Sequence, residues 1–279
     1  MARLLPFTKV QGLGNHFVLV EEQQGPCDWG ALAQDISRHH LAVGADGVLV
    51  VGPSAVADLR MRYFDPDGTE DMCGNGLRCV THYAFTRGLA PARMTVETIA
   101  GVRACEVLES GRVRTAMGHP QREPASLPAA VEGLSDLTDY PVEVLGRTFR
   151  LTCVSMGTPH AVIFADEELD DPRWPAWSEA LERHPLFPAR ITVDWVRVLS
   201  RSRVRTRPWE RHLGETLACG TGASATAVAG VLHGLTDRVV DVEMRGGTLR
   251  IEWPEGQQVG AVGEAAIVYT GAYPWADEG

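Results

Sequence analysis

Alternation of apolar and polar residues along much of the chain predicts short β-strands. Successive side chains of a strand point to opposite faces, so an alternating segment presents one face to a core and the other to solvent. The segments with this pattern are 48–51, 94–99, 102–108, 142–145, 150–154, 193–199, 239–244 and 248–253. We therefore expect a strand-rich protein.

Helical patterns are fewer. Segment 28–40 opens with Asp28, a residue type that caps helix N-termini, and it has apolar residues four positions apart. Segment 178–184 has a comparable pattern. Two more helices are expected directly after Cys73 and Cys219, so the chain belongs to a mixed α and β class.

The sequence contains one internal repeat, in which Cys73 and Cys219, 146 positions apart, begin equivalent segments. CGNGLRCVTHYAFTRGL aligns without a gap on CGTGASATAVAGVLHGL. Further matches in the same order are 10–20 with 154–164, 60–65 with 205–210, and 96–97 with 242–243. Several ordered matches indicate a duplicated unit rather than chance.

A duplication of this length predicts two pseudo-symmetric domains. We expect residues 1–117 together with 265–279 to form the N-terminal domain, and 118–264 the C-terminal domain. The segment after Cys219, GASATAVAGVL, has small or apolar residues on every face, which is typical of a buried helix. The predicted fold is α+β, with each domain a mixed, strand-rich sheet wrapped around a central helix.

Composition excludes several classes of function. With 26 basic and 36 acidic residues, the chain has a formal net charge of −10, which opposes binding to nucleic acid. The opening residues, MARLLPFTKV, do not resemble a signal peptide, and no apolar run approaches the roughly 18 residues of a membrane span. We expect a cytoplasmic protein that binds neither nucleic acid nor membrane.

The cysteines are too sparse for a disulfide framework in a chain of 279 residues. The closest pair, Cys73 and Cys79, has five residues between its members, which is not the CxxC spacing of a zinc site. We expect no metal and reduced thiols at all six positions: Cys27, Cys73, Cys79, Cys105, Cys153 and Cys219.

The two CGxG segments suit an anionic ligand and a reactive thiol. Glycines let the backbone approach a ligand, and the N–H groups of a first helical turn bind a carboxylate. The positive end of the helix also stabilises a thiolate. One such loop is more often structural than functional, but two at symmetric positions, at Cys73 and Cys219, indicate opposite walls of one ligand site.

Two opposed thiols can invert an amino-acid α-carbon without a cofactor. Proton removal leaves an unstable carbanion, which helix N-termini aimed at the substrate carboxylate stabilise electrostatically. One cysteine, as thiolate, removes the proton from one face, and the other, as thiol, delivers a proton to the opposite face. Because the pair holds one proton, we expect a coupled titration and a bell-shaped pH profile.

Five motifs, in order and along nearly the whole chain, resemble those of the diaminopimelate epimerases. They are FTKVQGLGNHFVLV, GADGVLVV, RYFDPDGTEDMCGNGLRC, VSMGTPHAVIF and WERHLGETLACGTGA. The resemblance implies inversion of one stereocentre of diaminopimelate, from the LL to the meso isomer, for cell-wall and lysine synthesis. It also implies a homodimer and no cofactor.

The resemblance assigns Cys73 and Cys219 as the acid/base thiols. The backbone after each cysteine is implied to cradle the carboxylate at the reacting centre, while Glu210 and Arg211 grip the amine and carboxylate of the distal centre. The residues implied to contact substrate are Asn15, Asp65, Gly74, Asn75, Thr158, His160, Thr192, Glu210, Arg211, Gly220 and Thr221.

Four positions depart from the family's usual pattern. Asp65, Thr158 and Thr192 stand where asparagine is usual, and His16 stands where aspartate is usual. An Asp65 carboxylate would repel a distal carboxylate unless it were protonated or paired with a cation. A racemase of lysine, ornithine, arginine or histidine on the same scaffold is therefore the second hypothesis.

Three readings from other classes remain open. The phenazine-biosynthesis isomerases share a duplicated fold but place a carboxylate at the reacting centre, which two CGxG cysteines argue against. A protein that only binds an amino acid would leave both cysteines unexplained. A thiol-disulfide oxidoreductase would have a CxxC motif, so oxidation is an inactivation route instead.

Overall fold

A computed structural model of the chain describes residues 3–22, 28–131, 133–165, 169 and 171–276. The chain divides into two compact units, Met1–Ala116 with Gly263–Gly279, and Met117–Val262. Among the described residues, no helix has the length and apolar character that crossing a bilayer requires.

Strands dominate both units. In chain order they are β1 Arg3–Gly12, β2 Asn15–Glu21, β3 Val48–Gly52, β4 Leu59–Phe64, β5 Glu70–Asp71, β6 Arg93–Thr98, β7 Gly101–Val107, β8 Val113–Gly118, β9 Tyr140–Val144, β10 Arg147–Ser155, β11 Pro159–Phe164, β12 Thr192–Ser200, β13 Arg203–Glu210, β14 Gly214–Glu215, β15 Val239–Met244, β16 Gly247–Glu252, β17 Val259–Gly263 and β18 Ala266–Trp275. The helices are α1 Trp29–Ile36, α2 Gly74–Thr86, α3 Trp174–Glu182 and α4 Gly220–Leu232. The α+β, strand-rich prediction is confirmed.

In the first unit, β1 lies between β18 and β2 and is antiparallel to both. The strands β2 and β3 are parallel, with Val18 opposite Val48, and β4 and β6 are also parallel. Helix α2 buries Leu77 and Val80 in one core, whereas α1 buries Leu32 in another core. The sheet of this unit is therefore covered on two faces.

The second unit repeats this connectivity. Its β11 and β12 are parallel, with Val162 opposite Asp194, and β13 is parallel to β15. Helix α4 is buried along nearly its whole length, including Ala223, Ala225 and Val228. This confirms the prediction from its small and apolar sequence, because a helix without a polar face gains nothing from contact with water.

Two helix boundaries differ from expectation. Helix α1 begins after its predicted cap Asp28 but ends at Ile36, where the Gly44 N–H bonds to the Ile36 carbonyl and turns the chain back. Helix α3 starts earlier than expected, because Pro175 occupies its first turn, where a proline costs no intrahelical hydrogen bond.

Candidate active site

Cys73 lies directly before α2 and caps its N-terminus. Its backbone is extended, with φ −130° and ψ 111°, and its Sγ accepts a hydrogen bond of 3.3 Å from the Gly76 N–H. A Cβ on Gly76 would lie 2.6 Å from Leu49 Cδ2, so glycine allows this close approach. The sulfur is therefore held against the positive end of a buried helix.

Asn15 is held beside Cys73 in one orientation. Its Nδ2 donates to Asp46 Oδ2 at 2.6 Å. Because a carboxylate can only accept, the opposite atom, Oδ1, is turned toward the site. This Oδ1 accepts from Asn75 Nδ2 at 3.3 Å and lies 3.9 Å from the Cys73 Sγ. The structure thus brings together Asn15, Cys73 and Asn75, three of the predicted site residues.

Arg78 lies behind this group and is fully buried. Its Nη2 donates to Asn75 Oδ1 at 2.5 Å, while its Nε and Nη1 have no hydrogen-bond partner within the described chain. Burial lowers the pKa of Arg78, and the thiols of Cys79 and Cys73 oppose that shift. A buried cation therefore acts on Cys73 and fixes the Asn75 amide.

Asp65 lies at the end of β4, half-buried, with the Tyr63 hydroxyl 2.7 Å from its Oδ1. Burial raises the pKa of Asp65, and the nearby carboxylates Asp71 and Asp67 raise it further, against the Tyr63 hydrogen bond. The pKa of Tyr63 is itself raised, by burial first and by Cys73 next. Asp65 therefore takes up a proton more readily than an ordinary aspartate.

Cys219 has the same local structure in the second unit. It caps α4 with φ −128° and ψ 114°, and its Sγ accepts from the Gly222 N–H at 3.4 Å. Gly222 leaves no room for a side chain, because a Cβ there would collide with Asp194 Oδ1. The duplicated CGxG segments thus place both sulfurs at equivalent helix termini.

His160 connects Cys219 to a buried carboxylate. Its Nδ1 lies 2.7 Å from Asp194 Oδ2, and both side chains are completely buried. Its Nε2 lies 2.9 Å from Thr221 Oγ1 and 3.0 Å from Thr158 Oγ1. Thr221 Oγ1 is in turn 3.4 Å from the Cys219 Sγ. Because Asp194 can only accept, a neutral His160 carries its proton on Nδ1 and accepts at Nε2.

The surroundings of Cys219 disfavour its anion. Burial raises the pKa of Cys219 well above its usual value, and the charges of Glu210 and Asp194 raise it further, against hydrogen bonds from Thr221 and Gly222. Burial also raises the pKa of Glu210, whose carboxyl hydrogen-bonds to Cys219 and to Thr216. Cys219 is therefore held as a neutral thiol at neutral pH.

A family model described as diaminopimelate epimerase matches residues 7–123 and 152–273. The chain belongs to the diaminopimelate epimerase family. Curated family members include the epimerase of Pelotomaculum thermopropionicum, 46% identical over 96% of this chain and 99% of its own, and that of Desulforudis audaxviator, 48% identical over 90% and 92%. The chain is accordingly an isomerase of the epimerase type.

Solved structures with lower identity share the fold. A phenazine biosynthesis protein of Bacillus anthracis superposes with a TM-score of 0.70 at 20% identity, covering 97% of this chain and 99% of its own. A hydroxyproline epimerase of Agrobacterium vitis gives 0.68 at 15% identity, covering 100% and 95%. These likenesses concern the fold alone.

In this epimerase family member, two of the substituted positions, Thr158 and Thr192, make hydrogen bonds to other predicted site residues. Thr158 Oγ1 lies 3.1 Å from Thr221 Oγ1 in addition to its contact with His160. Thr192 Oγ1 accepts from the Arg211 N–H at 3.1 Å, and the Arg211 Nη1 donates to the Ala189 carbonyl at 3.3 Å. The structure thus places Thr192 next to Arg211, two of the residues predicted for the distal end.

The epimerase site also includes charged residues that sequence patterns did not single out. Asp46, Arg78 and Asp194 each bond directly to a predicted site residue. The sequence does contain an indication for Asp194. A carboxylate in the middle of the apolar strand TVDWV requires a buried partner. The same reasoning applies to Arg78 on a buried helix.

The remaining described cysteines are structural. Burial raises the pKa of Cys79 to about 12 and that of Cys105 to about 11, and it also raises the pKa of Cys153. All three lie in apolar cores and stay protonated. Cys27 lies outside the described residues.

Proposed function

We propose that this epimerase interconverts LL- and meso-diaminopimelate by a two-base mechanism, without pyridoxal phosphate, and so serves lysine and cell-wall synthesis. The observation that carries the proposal is the pair of equivalent sulfurs, Cys73 and Cys219, each capping a buried helix and each receiving a first-turn N–H. In this proposal the two thiols act on opposite faces of one α-carbon.

The two cysteines start with different roles. Cys219 is the proton donor, because burial and two carboxylates keep its thiol neutral. Cys73 is the base, since the buried Arg78 guanidinium interacts favourably with its anion. The Cys73 thiolate removes the α-hydrogen while Cys219 delivers a proton to the other face, and the reverse reaction exchanges the roles.

The substrate carboxylate next to the reacting carbon binds at the two helix termini. The backbone N–H groups of Gly74, Asn75, Gly220 and Thr221 belong to the first turns of α2 and α4, which bind anions. As the α-proton leaves, negative charge moves onto this carboxylate, and donors already in position stabilise it without reorganisation. The protein itself therefore increases the acidity of the α-hydrogen.

At the distal end, Arg211 is the partner of the second carboxylate, with Glu210 and Thr192 beside it. Asp65 becomes compatible with a dianionic substrate once it takes up a proton, and its raised pKa makes this uptake easier than for an ordinary aspartate. A protonated carboxyl donates a hydrogen bond to a carboxylate, as the amide of an asparagine would.

The half-buried Asp65 also favours a second candidate substrate class, amino acids with a cationic side chain such as lysine or ornithine. A panel of free amino acids, separated after reaction by chiral chromatography, distinguishes the two. We expect turnover of diaminopimelate to exceed that of lysine and ornithine. A preference for a cationic amino acid would replace the first candidate by the second.

Replacing either site cysteine tests the proposed chemistry. Cys73→Ser or Cys219→Ser should lower kcat at least about a hundredfold, the usual contribution of a positioned acid or base. Cys105→Ser is the matched control, since the Cys105 thiol lies in the first unit and faces the Arg103 carbonyl at 3.8 Å. Full turnover by either site variant would refute the two-base scheme.

We also propose a homodimer in the cytoplasm. The outward positions Val268 and Tyr269 of β18 are exposed apolar residues that a second copy would cover. A reducing compartment is supported by the free state of the described cysteines. Light scattering should give twice the 30.3 kDa mass of the chain, and a monomer mass would contradict the dimer.

A further inference from the structure

A cluster of potential metal ligands lies next to the Asn15 side of the site. One ligand atom each from His16, His39 and Asp46 lies within 4.8 Å of the other two. His16 Nε2 is 3.9 Å from Asp46 Oδ1, and the His16 and His39 rings meet edge to face with centroids 5.7 Å apart. His16 is also one of the positions that depart from the usual family pattern.

The spacing suits a single small cation. Zinc bonds to imidazole nitrogen and carboxylate oxygen at about 2.0–2.2 Å, so its tetrahedral ligand atoms lie about 3.3–3.6 Å from each other. Ligand atoms already within 4.8 Å reach this arrangement through side-chain rotation alone. His39 is exposed, which leaves the cation a route of entry.

One of the ligands, the Asp46 carboxylate, is held in place before any cation binds. The backbone N–H of His16 donates to Asp46 Oδ2 at 2.8 Å, and Asn15 Nδ2 donates to the same oxygen. Both bonds use Oδ2, so Oδ1 is the carboxylate atom that faces His16.

We propose that His16, His39 and Asp46 bind one divalent transition-metal ion of the zinc class. Two imidazoles and one carboxylate form a ligand set that zinc accepts, with water in the fourth position. Lys9 is the neighbouring cation that opposes binding. Its buried ammonium group donates to the Gly44 carbonyl.

The cluster is coupled to the site through Asp46. This carboxylate fixes Asn15, and Asn15 Oδ1 lies beside Asn75 and Cys73. A cation that draws electron density from Asp46 weakens its hydrogen bond to Asn15. Zinc occupancy should therefore slow epimerisation, a consequence that rests on the proposed function, whereas the binding itself does not.

Calorimetric titration of the full, reduced chain with zinc chloride tests the binding. We expect His39→Asn to weaken zinc binding at least about tenfold, since it removes one of three ligands. His40→Asn is the matched control, because His40 adjoins His39, lies outside the cluster and has a left-handed φ of 66° that asparagine tolerates. Equal affinity of wild type and His39→Asn would overturn the proposal.

Cobalt provides a second readout that separates this cluster from the thiols. Cobalt bound by nitrogen and oxygen shows weak visible bands, whereas thiolate ligation adds an intense charge-transfer band. We expect only the weak bands, and we expect them to be lost in His39→Asn and kept in His40→Asn. A dominant thiolate band would assign the metal to Cys73 or Cys219 and overturn the proposal.

Activity measured at saturating zinc tests the coupling separately. Wild-type turnover should fall, and His39→Asn should be inhibited less at a zinc concentration that just saturates the wild type. Equal inhibition of the two proteins would contradict the coupling through Asp46. Failure of the proposed function would instead appear as absent turnover before any zinc is added.

Discussion

The two cysteines occupy the same backbone position but meet different charges. Both cap a 13-residue helix with nearly identical dihedral angles. Cys219 is surrounded by the carboxylates of Glu210 and Asp194, whereas the charged group acting on Cys73 from its own helix is the Arg78 guanidinium. Under the proposed two-base mechanism, this difference places the shared proton on Cys219 in the resting enzyme.

Glu210→Gln should move the alkaline limb of the kcat/KM pH profile to lower pH. The carboxylate raises the pKa of Cys219, so its removal lets the thiol lose its proton at a lower pH. Because the two thiols titrate as a coupled pair, the profile reports macroscopic values of that pair. An alkaline limb at the wild-type position would show that Glu210 does not set this protonation.

Arg78→Met should lower kcat by about tenfold to a hundredfold while changing KM less. Loss of the guanidinium leaves Asn75 Oδ1 without its donor, and small misplacements of a site residue carry costs of this size. The fold should persist, because methionine fills similar volume and removes a buried, incompletely paired charge.

Two further variants separate positioning by Arg78 from a general effect on α2. Arg78→Lys should recover part of the rate, since an ammonium can still donate to Asn75. Arg87→Met changes an exposed arginine at the end of the same helix and should leave kcat unchanged. An unaltered kcat in Arg78→Met would remove the positioning role.

At the scale of elements, segments with a clear hydrophobic pattern could be predicted from the sequence, and several segments without one could not. All four helices were predicted, as were strands β3, β6, β7, β9, β10, β12, β15 and β16. Strand β2 was missed because Phe17 packs in one core and Val18 in another, so no alternation remains. Strand β11 was missed for the same reason, being buried from Pro159 to Ile163.

Gly76 and Gly222, each three residues after a site cysteine, allow a test of how tightly the two helix termini are packed. Gly222→Ala should destabilise the protein by about 1–3 kcal/mol, the usual cost of overpacking, because the new methyl group meets an Asp194 carboxylate held by His160. Gly76→Ala should cost less, since the atom it meets is the end of the flexible Leu49 side chain.

Urea unfolding of both variants measures the difference. Gly260→Ala is the control, because a Cβ there would lie 3.8 Å from the Glu252 carbonyl oxygen, an ordinary contact distance. A larger loss of stability in Gly76→Ala than in Gly222→Ala would contradict the assignment of Asp194 as a fixed group.

At the scale of the whole molecule, the duplication was the most informative sequence feature. It predicted two similar units and equivalent positions for the two cysteines, which the repeated strand connectivity and matching helix caps bear out. It could not predict the residues that make the units different. Arg78 aligns with Ser224 and Asn75 with Thr221, so the two copies of the repeat differ in the polar and charged residues around each sulfur.

The proposed two-base mechanism is tested most directly in deuterated water at low conversion. Mass spectrometry of the separated stereoisomers should find deuterium in the newly formed isomer and hydrogen in the remaining substrate, because different residues remove and deliver the proton. A product that retains the original hydrogen, or a substrate that exchanges as fast as product forms, would contradict the two-base account.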